Sequence, residues 1–281
     1  MHEAVDDIHT YNASETEISR LARLKETGAY AEKGVYDYMH SLRRCYDTGA
    51  PYIGMFEDDI LLADGWMVQT LQHLSQIPPV DDEEHPWLFM RLFNQERSTG
   101  WASHAIGGNN EAWIILGIAL GLVVPAFLAR RKWHFTRTYL DLETILIIAL
   151  VLNPALVVLF FQSGKASLLP PFPGVFAEPF GCCSQAMIFP RTRVPLLLNF
   201  LEQARQGQID LLLDQLAKEK GMTRWASYPV QAQHIGLESS RMTEGDEAQA
   251  IWSMAFEALD PETLSREHAQ MVEEYYGRPR R

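Results

Sequence analysis

The chain has 281 residues, with 24 Lys plus Arg against 36 Asp plus Glu and a formal net charge of −12. That balance argues against nucleic acid as a partner, because phosphate binding draws on clustered basic side chains. Three cysteines in so long a chain cannot staple a small secreted scaffold, and 47% hydrophobic against 21% charged residues is globular rather than disordered.

Met1 to Asn12 is polar and acidic, so no cleavable signal peptide is expected in this stretch. Asn12-Ala13-Ser14 is an N-glycosylation sequon, with Asn12 as the candidate acceptor. Helical spacing runs over Glu15 to Thr27 and Ala31 to Tyr46, with Gly28 and Gly49 as stops. The apolar run from Pro51 to Phe56 is expected to be a buried strand, followed by a turn ending at Asp64-Gly65. A helix over Trp66 to Gln76 closes at Pro78-Pro79 and the acidic loop Asp81 to Glu84, and Trp87 to Phe93 predicts a second strand. Helix, strand, helix, strand is an α/β layout.

Ala112 to Ala129 and Thr144 to Phe161 are uncharged apolar runs. At about 1.5 Å rise per residue, each is long enough to cross a hydrocarbon core of about 30 Å. Pro125 and Pro154 are tolerated where neighbouring groups satisfy the freed carbonyls. The connecting loop, residues 130–143, sets Arg130, Arg131, Lys132 and Arg137 against Asp141 and Glu143, so it is expected in the cytosol with both flanking arms lumenal.

The second arm opens on the Pro-rich stretch Leu169 to Pro173, becomes extended over Gln185 to Phe189, and turns helical over Val194 to Ala204 and Ile209 to Lys220, split near Gly207 and ended by Gly221. Tyr228 to Gly236 predicts a strand and loop, and a polar helical tail runs from Glu247. Neither arm holds a full complement of strands, so residues 1–111 and 162–281 are expected to fold together, with the membrane hairpin 112–161 inserted between them. Cys45, Cys182 and Cys183 leave two alternatives open, a disulfide from Cys45 to either member of the vicinal pair or buried free thiols.

Chemistry concentrates at Glu57-Asp58-Asp59, three carboxylates directly after an apolar strand. At the carboxyl end of a parallel strand such a cluster faces the crevice where open α/β sheets bind ligands. Adjacent acids repel unless a cation is present, and oxygen ligation suits Mg²⁺ or Mn²⁺ holding a diphosphate. A solvated acidic turn is the alternative.

Tyr52 to Ile60, YIGMFEDDI, resembles the strand and EDD variant of the DxD motif in GT-A glycosyltransferases of the N-acetylglucosaminyltransferase IV type. Lys33 to Tyr38 (KGVYDY), Ile209 to Asp214 (IDLLLD) and Gln233-His234-Ile235-Gly236 followed by Ser239-Ser240 resemble further landmarks of that family in the same order. A GT-A domain interrupted by a transmembrane hairpin resembles the post-GPI-attachment N-acetylgalactosamine transferase group. The resemblance covers about Lys33 to Arg241. It implies a GT-A-like α/β fold and a multi-pass Golgi membrane protein that moves a sugar from a UDP-sugar to a GPI-anchor glycan, with Mn²⁺ or Mg²⁺ as cofactor. It also implies an N-terminal anchor and first nucleotide-binding strands, which are not found before Tyr11, so either an incomplete sequence or a truncated paralogue is expected.

On this footing Asp59, with Asp58 or Glu57, holds the cation and the donor diphosphate, and His234 completes the metal or binds a phosphate. An inverting displacement needs a base for the acceptor hydroxyl. Asp210 is the candidate, with a helix cap or first-turn acid as its alternative, and Asp214, one turn on, is the reserve. Trp101, Trp225 and Tyr275-Tyr276 are candidates for stacking on sugars, against ordinary packing. The alternative function is a non-catalytic lumenal protein that binds glycolipid or stabilises an active transferase.

Overall fold

The structure, a computed structural model, describes residues 14–95, 101, 106–165, 172–178, 183–236 and 251–277. Asn12, Cys182, Ser239 and Ser240 lie outside the described residues. The chain divides into two compact units, Met1–Gln95 with Phe172–Arg281, and Glu96–Pro171.

In the first unit, Ser14 opens helix α1 (Glu15–Glu26) with a capping box: its hydroxyl accepts from the Glu17 N–H while the Glu17 carboxylate accepts from the Ser14 N–H. Helix α2 (Tyr30–Asp47) buries Val35 and Leu42, two turns apart on one face. Strands β1 (Tyr52–Phe56) and β2 (Ile60–Leu62), helix α3 (Trp66–Leu74) and strand β3 (Trp87–Arg91) complete the first arm.

The hairpin unit contributes helices α4 (Glu111–Lys132) and α5 (Leu142–Lys165). The second arm supplies β4 (Gly174–Ala177), β5 (Ala186–Pro190), α6 (Val194–Ala204), α7 (Ile209–Lys220), β6 (Thr223–Tyr228), β7 (Ala232–His234) and α8 (Pro261–Tyr276).

Five strands form one mixed sheet in the order β1-β5-β3-β6-β4, in which β3 and β6 run parallel and the other pairs are antiparallel. All residues of β3 and β5 are buried, which is why β5 and the first four residues of β3 read as continuous apolar runs rather than alternating ones. One face packs Phe89, Met187 and Phe189 against Leu42 of α2, Leu197 and Leu201 of α6 and Leu213 and Leu216 of α7. Leu74, Ile77, Trp87, Met90 and Ile188 form the other core.

Two expectations are corrected here. β1 is not a fully buried strand: it lies at the edge, with Ile53 and Met55 buried and Gly54 and Phe56 exposed. Nor does it run parallel to its neighbour, since β5 pairs with it antiparallel, so the acids after Phe56 do not close a parallel strand. The residue that does so is Arg91, at the end of β3 beside β6.

Three strands were not expected as such. β2, taken as part of a turn, pairs antiparallel with β7 in a second sheet that sets Ile60 opposite His234. β4 emerges from the Pro-rich stretch, and β6 begins five residues before the strand expected from Tyr228.

In the second unit, α4 buries none of its residues, and large apolar side chains such as Trp113, Leu120 and Leu128 are exposed. Both α4 and α5 are long and apolar enough to cross a membrane. α5 buries Ile145, Ala149, Asn153, Val157 and Phe161, every fourth residue. The Asn153 amide donates to the Ile115 carbonyl of α4 at 2.8 Å, a polar link between helices. Before Pro154, which has no N–H to give, α5 widens into a π-helical turn over Ile148–Leu152. Trp101 packs edge-on against Phe160 and Phe161, and its ring fills the space above Gly164. It serves packing in the hairpin unit rather than sugar stacking.

A buried imidazole makes the fold pH-dependent. His73 of α3 contacts the Ser227 hydroxyl of β6 through Nδ1 at 2.6 Å and the Gln69 amide nitrogen through Nε2 at 2.8 Å. An amide nitrogen only donates, so Nε2 accepts and the ring is neutral. Burial lowers the His73 pKa to about 4, against 6.5 for the free side chain. The unfolded chain therefore takes up a proton that the folded one refuses between those values, and stability present above pH 6.5 is lost as pH falls towards 4. Denaturant titrations of the chain in detergent are expected to show this loss as about 1.4 kcal/mol per pH unit from this residue, with a flatter slope in His73→Gln.

Candidate functional site

The acid turn between β1 and β2 is fixed from two sides. The Glu57 N–H donates to the Gln185 carbonyl at 2.9 Å, and the Glu57 carboxylate accepts from the Ser184 hydroxyl at 2.6 Å. Asp58 is exposed.

Asp59 turns toward β7. Its Oδ2 lies 3.1 Å from His234 Nε2, and its carbonyl accepts from the Ile235 N–H at 2.8 Å. The approach requires glycine at 236, where an added Cβ would fall 2.3 Å from Asp59 Oδ2 and 3.0 Å from His234 Nε2. The other oxygen, Oδ1, is buried without a hydrogen-bond partner, and an orphaned carboxylate oxygen is an open acceptor for a cation or a donor group. Among the described residues, no three His, Cys, Asp or Glu side chains converge as a ready metal cage.

Tyr38, in the KGVYDY stretch, faces the same region. Burial first, and then the nearby Glu57 carboxylate, push its phenol above the ordinary range, and its hydroxyl has no hydrogen-bond partner.

Helix α7 brings in the second pair of acids. Gln208 is its N-cap residue, so Asp210 is a first-turn acid and not the cap. One Asp210 oxygen accepts from the Leu211 N–H at 2.9 Å, and the other reaches across to the Cys183 N–H at 3.0 Å. Cys183 and Ser184 are thus consecutive residues tied to Asp210 and Glu57 respectively. Cys183 sits at φ 83, a left-handed conformation that costs a non-glycine residue about 1 kcal/mol or more. It is disulfide-bonded while Cys45 is a free thiol, which removes both the Cys45 disulfide and an all-thiol chain from the alternatives.

Asp214, one turn on, has a different environment. Its Oδ1 lies 2.5 Å from Arg224 Nη1 and 3.2 Å from Arg91 Nη2, with the side chain 15% exposed. Arg91 also grips the buried Glu178 at 2.7 Å, and burial pushes the Glu178 carboxyl above its ordinary range. Two arginines and two acids, each pair balancing the other, form one network on the α7 side of the sheet. With Oδ1 shared between two guanidiniums, Asp214 is tied into the arginine network rather than left open toward a substrate. The structure therefore brings Asp59 to His234, and Glu57 and Asp210 to adjacent residues, while Asp214 stands in the arginine network.

Residues 2–231 match the family described as GPI-N-acetylgalactosamine transferase PGAP4. The chain belongs to this family. No match is found among curated proteins or among solved structures. The match covers the EDD turn, both hairpin helices and α7, and the mixed α/β sheet is consistent with a GT-A-like fold. It ends before His234 and Gly236, which reach Asp59 by geometry alone.

Sequence reasoning missed Arg91, Glu178, Ser184 and Arg224. For the arginines a signal existed: each interrupts an apolar or aromatic stretch, WLFMR and TRWASY, and a charge inside a buried strand demands a partner. Trp225 belongs to the second core rather than to an exposed sugar platform, and the Tyr275 and Tyr276 side chains lie outside what the structure describes.

The unequal roles of the α7 acids are measurable as stability. Asp214→Ala leaves two buried guanidiniums short of a counter-charge and is expected to cost about 3–5 kcal/mol. Asp210→Asn, at a half-buried first-turn site, is expected to cost about 1 kcal/mol. Denaturant midpoints of the two variants in detergent check the order.

Proposed function

We propose that the chain transfers N-acetylgalactosamine from a UDP-sugar to the glycan of a GPI anchor, as a metal-dependent, inverting enzyme of the Golgi membrane. The family supports the donor and acceptor classes. The observation that carries the chemistry is Asp59, whose partnerless buried oxygen lies on the same carboxylate that meets His234.

One carboxylate and one imidazole suit Mn²⁺ or Mg²⁺, with the exposed Asp58 beside them and the remaining positions left to the diphosphate of the donor. A bound cation would offset the charge that grows on the departing UDP. Glu57, held by Ser184, keeps the turn in place and lies on the donor side.

Asp210 is the general base in this reading. The acceptor hydroxyl oxygen attacks the anomeric carbon from the face opposite the diphosphate, the carbon–oxygen bond to the phosphate breaks, and the hydroxyl proton passes to Asp210. Each Asp210 oxygen accepts one backbone N–H and keeps a second lone pair for that proton. The hairpin α4–α5 anchors the enzyme in the same bilayer as its lipid-linked acceptor, with the basic loop 130–143 in the cytosol and both arms in the lumen.

Calorimetry in detergent tests the donor site: Asp59→Ala is expected to abolish Mn²⁺-dependent UDP binding, and unchanged affinity with the same metal dependence would reduce the EDD turn to a surface loop. Asp210→Asn is expected to preserve UDP affinity while lowering transfer by roughly 10²-fold or more. Full transfer by that variant removes Asp210 as base. For topology, protease added to sealed Golgi vesicles is expected to spare tags at both termini, and digestion of either tag refutes the lumenal placement.

A further inference from the structure

Arg91, at the end of β3, joins three other segments of the first unit. Its side chain is 1% exposed and its three nitrogens are divided among three partners: Nη1 donates to Glu178 Oε2 at 2.7 Å, Nη2 to Asp214 Oδ1 at 3.2 Å, and Nε to the Cys183 carbonyl at 3.3 Å. The N–H of the same residue is taken by Asp210, so Cys183 is held through both of its backbone polar groups. Cys183 therefore keeps a left-handed conformation because both of its backbone polar groups are fastened. Ser184, next in the chain, carries that conformation to Glu57 through its hydroxyl.

We propose that Arg91 is a positioning residue: it sets the Cys183 peptide and thereby couples the acid at the end of β1, Glu57, to the acid at the start of α7, Asp210. Asp214 acts at one remove. It shares a helix face with Asp210, but its task is to hold Arg91, together with Arg224 on β6. The IDLLLD segment then works on Cys183 twice, directly through Asp210 and indirectly through Asp214 and Arg91. A fork-shaped guanidinium is required for this, since lysine offers a single point of charge and cannot serve a carbonyl and two carboxylates in fixed directions.

The catalytic part of this inference rests on the proposed transfer reaction, whereas the positioning part does not. Hydrogen–deuterium exchange of the chain in detergent reads positioning alone. Arg91→Lys is expected to speed exchange at the Cys183 amide, although its acceptor Asp210 is untouched, while the amides of β5 beyond Ala186 keep their protection. Asp214→Asn, which loosens Arg91 without removing it, is expected to do the same and serves if Arg91→Lys fails to fold. Unchanged exchange at Cys183 in a folded variant overturns the proposal, and so does faster exchange throughout the sheet, which would make Arg91 a general structural residue.

Transfer kinetics read the coupling. Arg91→Lys is expected to lower kcat about ten-fold with little change in the KM for UDP-sugar, and adding Ser184→Ala is expected to lower it little further, because both act on one peptide. Independent, multiplying losses overturn the coupling. A parent chain with no transfer activity counts against the proposed function, and the exchange result then still decides whether Arg91 positions Cys183.

Discussion

A buried guanidinium needs partners for its charge, and the pairing of Arg91 organises the first unit. It closes the one parallel strand pair among the described strands, meets carboxylates from two other segments, and gives its Nε–H to a loop carbonyl. A buried ion network of this kind is weak evidence for stability, because desolvation offsets much of the attraction. Its return is directional. Three donors in one plane leave few arrangements for β3, α7 and the Cys183 loop that satisfy all of them, so that loop takes its geometry from the charge lattice behind it.

That division of labour explains what the sequence disclosed. Glu57-Asp58-Asp59 is conspicuous because three acids rarely follow an apolar strand without a reason, and the periodic helices were legible from spacing and from Gly28, Gly207 and Gly221. The strands β2, β4 and β6 were not, because short or partly polar segments become strands through their partners. Thr223 to Tyr228 contains an arginine whose presence is understandable only once Asp214 is opposite it. The orientation of β1 was misjudged for a related reason: an apolar run states burial but not the direction of its neighbour, and β5, which pairs with it antiparallel, lies more than 120 residues further along the chain.

His234 and Gly236 illustrate the converse. They lie outside the stretch matched to the family, yet the pairing of β2 with β7 delivers them to Asp59, and the absence of a Cβ at 236 is what lets the carboxylate approach. Proximity across 175 residues of sequence came from a three-residue ladder that no local pattern announced.

The hairpin unit follows a different solvent logic, with polar groups internal and apolar ones facing out. Its π-helical turn has a consequence for how the span tolerates change in length. Residues four apart on a straight α-helix advance by about 40° around the axis, so a face read at Ile145, Ala149, Asn153, Val157 and Phe161 would wind away from its partner. The wider turn at Ile148–Leu152 takes back part of that drift and in effect stores one surplus residue. Removing a single residue within that turn converts it to ordinary helix and keeps the flanking faces in register, leaving only the carbonyl opposite Pro154 without an N–H, whereas the same deletion in the regular turns before it rotates the buried face by about 100°. The turn is thus the point where this long apolar helix absorbs a change of length at least cost.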